Sequence, residues 1–140
     1  CTDCRSVKLE QIKRQRSMEM EELNEWVNAY IEVHKSENSS NEDHSCYWAI
    51  EKFADMEMDH PDLNWAAMLQ IISLTTSDTV IHSLAAGPLE ELVELHGVEY
   101  IDQIEKTART NLNFRLVLRA LIETTDKNIW TRILRARSDD

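Results

Sequence analysis

The sequence predicts an all-α fold, with about eight short helices stacked as HEAT-like hairpins in a single domain. Three observations predict it. Glycine and proline number two each in 140 residues, too few for the many tight turns of an all-β chain. Apolar residues recur at spacings of three and four along most of the chain, and no segment shows a convincing strand alternation. A pattern of helix, Thr-Thr turn and helix occurs twice, with Leu63-Asn64-Trp65 opening one copy and Leu112-Asn113-Phe114 the other.

Each element follows from its pattern. Leu23, Trp26, Val27, Tyr30 and Ile31 form one apolar stripe, and Glu19, Glu21 and Glu22 occupy the turn where the helix dipole favours anions. A first helix is therefore expected over about 20–33. Residues 35–45 are polar and read as an exposed loop. A second helix is expected over about 47–58, with Ile50, Phe53 and Ala54 inward. Asp59-His60-Pro61 stops it and starts the next, because proline suits a first helical position. Trp65, Met68, Leu69 and Ile72 face the core from that third helix. Ser77 or Asp78 caps a fourth, which turns Val80, Ile81, Leu84 and Ala85 inward.

Gly87-Pro88 is expected to end this helix and begin a fifth, with Gly87 in the left-handed position and Pro88 in the first turn. Leu89, Leu92 and Val93 face inward there, and Gly97 closes it. Ile101, Ile104 and Ala108 mark a sixth helix. Phe114, Val117, Leu118, Leu121 and Ile122 mark a seventh. Thr125 or Asp126 caps an eighth, with Ile129, Trp130, Ile133 and Leu134 on its apolar face. At the offset that relates Leu63 to Leu112, Leu69 falls on Leu118, Ile72 on Leu121, Thr75-Thr76 on Thr124-Thr125, Val80 on Ile129 and Leu84 on Ile133. A repeat of that length is typical of stacked helix pairs.

Charge divides the chain. Residues 1–18 carry five basic and two acidic groups and are expected to form a basic, flexible N-terminal extension to a helical domain over 19–140. Residues 19–64 carry thirteen acidic and two basic groups, and residues 65–140 carry eleven and eight, for a net charge of −11. An acidic half repels phosphates and attracts basic protein surfaces. No apolar run approaches the roughly 20 residues that span a bilayer, so no membrane segment is expected. The first residue is Cys1, with Met18 and Met20 as candidate native starts, and no secretory signal is read. Three cysteines do not suit a disulfide framework, so reduced thiols and a cytoplasmic location are expected.

Motifs for chemistry are sparse. Cys1 and Cys4 make half of a zinc knuckle, and only His44 and Cys46 are near enough in sequence to complete it. None of His34, His44, His60, His82 and His96 has metal-binding helical spacing. His96 stands in a last helical turn, where an imidazole bonds free carbonyls. Glu51 with Asp55, Glu90 with Glu94, and Asp102 with Glu105 share helix faces, which solvent ordinarily covers. Two glycines exclude a phosphate-binding glycine loop or a dinucleotide fingerprint. Arg109, Arg115, Arg119, Arg132, Arg135 and Arg137 make a basic C-terminal end without interleaved stacking aromatics, so pairing with carboxylates is expected rather than direct nucleic-acid contact.

Residues 48–122 resemble an uncharacterised bacterial all-helical family of unknown function. The resemblance rests on Trp48 with Glu51, His60-Pro61-Asp62, Leu84-Ala85-Ala86-Gly87-Pro88-Leu89-Glu90-Glu91-Leu92, His96-Gly97 and Ile101-Asp102-Gln103-Ile104-Glu105. Where that family repeats Asp-Pro, this chain has Asn111-Leu112-Asn113. The resemblance implies a helical fold and a bacterial source, and no chemistry.

The expectation is a non-enzymatic interaction module without a cofactor or metal. Trp48, Glu51, Asp55, Glu57, Asp59 and Asp62 are the candidate partner-binding residues. A concrete form is an acidic immunity or inhibitor protein that blocks a basic bacterial toxin or nuclease. The alternatives are a structural homodimer, or a metal or small-ligand domain using His96 and nearby carboxylates.

Overall fold

The computed structural model describes residues 2–35 and 44–138, with side chains from Glu19 onward. The described residues contain helices and no strand. The helices are α1 (Thr2–Lys35), α2 (Trp48–Met56), α3 (Pro61–Leu74), α4 (Asp78–Leu84), α5 (Glu90–Thr110), α6 (Leu112–Ala120) and α7 (Lys127–Ala136). A π-helical turn, Ala85–Leu89, joins α4 to α5, so those two helices form one continuous run. The first helix extends well beyond the stripe at 20–33. Most of the polar loop expected near 35–45, and Cys1 of the half-knuckle, lie outside the described residues.

Two aromatic clusters anchor the core. Trp26 and Tyr30 of α1 meet Phe53 of α2 at ring-centroid distances of 4.5 and 5.1 Å. The Trp26 indole N–H donates to the Ala49 carbonyl at 2.9 Å, so its polar atom is satisfied in the interior. In the second cluster Trp65 of α3 packs edge-on against Phe114 of α6 at 5.3 Å. Burying each such side chain contributes roughly 1.5–3 kcal/mol. Two asparagines lock neighbouring backbone into this core. Asn64 Nδ2 donates to the Phe53 carbonyl, and Asn113 Nδ2 to the Ile72 carbonyl, both at 2.9 Å.

The repeat at the Leu63–Leu112 offset has structural content. Trp65 and Phe114 occupy equivalent core positions, whereas Asn64 bonds the adjacent helix α2 and Asn113 the more distant α3. The caps also correspond. Ser77 Oγ accepts from the Val80 amide, and Asp126 accepts from the amides of Asn128 and Ile129. Both caps were alternatives in the sequence, and both use the oxygen that best reaches the first-turn amides.

Two expected boundaries, at Gly87 and Pro88, differ from the structure. Gly87 has no left-handed backbone and Pro88 starts no helix; both lie inside the π-turn. In an α-helical register the Leu84 carbonyl would face the Pro88 ring and a nitrogen without hydrogen. The wider π register relieves both faults, so the chain continues. The boundary expected at Gly97 falls one residue from a break in helical geometry: His96, with φ −133° and ψ 23°, kinks α5 where two helices meet. The role of Gly97 is close approach: a Cβ there would come within 2.7 Å of Ile129 Cδ1 on α7. The eight expected helices therefore become seven segments in six separate runs among the described residues. At the chain's far end Ile122 and Leu134 are exposed rather than inward, because α6 stops at Ala120 and α7 buries Ile129 and Ile133.

Replacing Gly97 tests this packing. Gly97→Ala gains about 1 kcal/mol of helix propensity but must displace the Ile129 methyl, so it should change stability by at most about 1–2 kcal/mol. Gly97→Leu should cost more than about 2 kcal/mol in urea unfolding. Equal stability of the two variants would contradict the close approach.

Candidate functional site

The π-turn shapes a cavity of about 290 Å³ where α1, α2, α4 and the turn meet. Ile50, Phe53, Ala54 and Pro88 supply apolar wall, Tyr30 and Ser83 supply hydroxyls, and Glu57 and Glu91 supply carboxylates. Gly87 also lines it. A Cβ on Gly87 would meet nothing within 4 Å, so packing does not require glycine at this position. Glycine in a helical run costs about 1 kcal/mol relative to alanine, and here it keeps the cavity wall open.

The cavity's polar groups are fixed. The Tyr30 hydroxyl and Ser83 Oγ are 2.6 Å apart. Burial raises the Tyr30 phenol well above its ordinary range, against a smaller opposing effect of the Ser83 bond, so Tyr30 is neutral. Burial, and then the neighbouring Glu91 charge, raise the Glu57 carboxyl above its ordinary value. His96 Nε2 lies 2.7 Å from the Glu57 carbonyl oxygen. A carbonyl can only accept, so Nε2 carries the proton and the ring pins the end of α2 to α5. The sequence anticipated a carbonyl-binding role for His96; the carbonyl belongs to the residue after α2 rather than to its own helix.

The expected partner-binding residues divide into neighbouring groups. Trp48, Glu51 and Asp55 lie at successive turns on one face of α2, and Trp48 is 40% exposed. Glu57 lines the cavity beyond the end of that helix, and Asp59 is exposed in the turn that follows. Asp62 stands apart, at the start of α3 near Tyr100, whose phenol is raised by burial, then by Asp62 and Glu99. Among the described residues, none of Glu51, Asp55, Glu57, Asp59, Asp62 and Glu91 is in an ion pair. Tyr30, Ser83, Gly87, Pro88 and Glu91 were missing from the sequence-derived site. The available signal was the Gly87-Pro88 pair, which reads equally well as a helix corner.

Other carboxylates have structural work. Glu94 accepts from the Thr125 amide at 2.8 Å. Arg132 holds Asp102 at 2.6 Å and grips both carboxylate oxygens of Glu105. That hydrogen bonding lowers the Glu105 carboxyl, against a smaller desolvation effect. Among the described residues, no group of three His, Cys, Asp or Glu side chains is placed to hold a metal ion. No helix there is long and apolar enough to cross a membrane.

Fold and site together define an all-helical protein with an open, two-carboxylate cavity beside an acidic helix face. The chain belongs to a family of unknown function (DUF6869), whose sequence pattern matches residues 35–140. No curated protein and no solved structure matches the chain. The matched region leaves out nearly all of α1, which contributes Trp26 to the core and Tyr30 to the cavity wall.

Glu57 gives the cavity a pH signature. A carboxyl raised in the folded state favours folding while protonated, and that contribution is lost as pH rises through its folded value. Glu57→Gln should therefore be more stable than wild type at neutral pH, with the difference shrinking as pH falls below the ordinary carboxylate range. Urea unfolding across pH checks this. A variant less stable at neutral pH would mean that the Glu57 charge is favourably compensated.

Proposed function

We propose that this protein is a non-enzymatic interaction module that binds the basic surface of a protein partner. The observation that carries the reading is the run of unpaired carboxylates from the α2 face into the cavity, beside exposed Trp48. Unpaired acidic groups on a surface accelerate encounter with a basic partner. Exposed tryptophan supplies the apolar anchor that interface hot spots favour. A fitting role is that of an immunity or inhibitor protein that occupies the nucleic-acid cleft of a basic toxin or nuclease.

The scaffold for this surface reads as HEAT-like stacked helix pairs. Its support is the correspondence of caps and core aromatics between the two copies.

Affinity capture from the native host, at low and high salt, tests the reading. A basic partner should be retained at low salt and released at high salt, and Glu51→Lys with Asp55→Lys should weaken capture at least tenfold. Gly87→Ala should remain folded, gain up to about 1 kcal/mol of stability, and bind less well because its methyl enters the cavity. Retention indifferent to salt and to charge reversal would exclude the charge-driven mechanism.

A further inference from the structure

The six arginines of the C-terminal region fall into two sets. Three are employed internally. Arg132 binds Asp102 and Glu105. Arg137 donates to the carbonyls of Leu118, Arg119 and Leu121 at the end of α6 and stacks over Trp130 at 5.0 Å. Arg119 donates to the Arg137 carbonyl. The other three, Arg109, Arg115 and Arg135, line one cavity of about 420 Å³ between α5, α6 and α7. None of these three is in an ion pair among the described residues.

Helix dipoles explain two of them. Arg109 and Arg135 stand in the last turns of α5 and α7, where a cation is favoured. Arg115 has no such reason. It lies early in α6, where the dipole favours an anion. Its Nε is buried and has no hydrogen-bond partner. A buried guanidinium N–H left unpaired costs free energy, and a bound acceptor would remove that cost. Among the described residues, the one carboxylate on the cavity wall is Glu105, already gripped by Arg132. Three guanidiniums against one carboxylate leave an excess of two positive charges.

We propose that this cavity is a binding site for a phosphate-class dianion, either inorganic phosphate or the phosphate of a small monoester, with Arg115 as its central donor. The charge excess matches a dianion, and guanidinium forks match the paired oxygens of phosphate. The site is independent of the acidic cavity and of the partner reading.

Titration of the full chain with inorganic phosphate at constant ionic strength, followed through arginine Nε–H resonances, tests it. Saturable binding should shift the Arg115 Nε–H signal, with phosphate binding at least tenfold tighter than acetate or chloride. Arg115→Gln should weaken binding at least tenfold. Arg109→Gln with Arg135→Gln removes two exposed cations and should do the same if Arg115→Gln impairs folding. Lys106→Gln should leave binding unchanged. Glycerol 3-phosphate in place of phosphate distinguishes the sources: tighter binding than phosphate indicates a monoester, equal or weaker binding the free ion. Equal affinity for acetate and phosphate, or no effect of the arginine substitutions, would overturn the proposal. So would phosphate binding seen only in a chain ending at Ser138, because Asp139 and Asp140 would then be the natural occupants.

Discussion

Pro88 cannot donate a backbone hydrogen bond, yet helix continues through it from Asp78 to the kink at His96. A proline in a regular helix interior costs about 3 kcal/mol, through a lost bond and a clash with the preceding turn. The chain accommodates it with one π-turn rather than a break. Much of the site follows from that accommodation. The turn sets the direction in which α5 leaves α4, and it opens a cavity against α1 and α2. It also places Glu91 beside Glu57. Further along the same run, His96 reaches the Glu57 carbonyl and Gly97 lets α7 approach. Two local irregularities, the π-turn and the kink at His96, thus link the acidic cavity to the packing of the C-terminal helices.

Two parts of the molecule differ in how they treat charge. The C-terminal helices use carboxylates and arginines against one another, as Arg132 with Asp102 and Glu105 shows. The α2 region leaves its carboxylates unpaired among the described residues, and Glu91 of α5 repels one of them, Glu57, across the cavity. Self-repulsion and desolvation disfavour folding, so these carboxylates add nothing to stability and are left for the proposed partner to compensate. Open space at Gly87 points the same way, because alanine would fit there and would favour the helix.

The fold class was legible because helical periodicity is local. Trp26, Val27 and Tyr30, or Val80, Ile81 and Leu84, declare one buried face without knowledge of their partners. Ser77 and Asp126 were legible as caps for the same reason. Gly87 was misread as a left-handed terminus, whereas Gly97 was legible as a boundary, beside the His96 kink, but not as a close approach. That approach depends on Ile129, 32 residues away from Gly97. The acidic α2 face was legible from composition, whereas the cavity was not. Tyr30, Glu57 and Ser83 come from three separate segments, and no spacing rule unites them. The arginines were visible as a group, but their division into employed and unemployed members depends on which carbonyls and carboxylates the folded chain brings within reach.

The most direct test of the account is an amide chemical-shift map of the isotope-labelled chain titrated with a short arginine-rich peptide. The account predicts saturable shifts centred on Glu51, Asp55, Glu57, Gly87 and Glu91, reduced by added salt. Shifts spread evenly over every acidic surface, or absent around the π-turn, would contradict the claim that this cavity is where a basic partner engages.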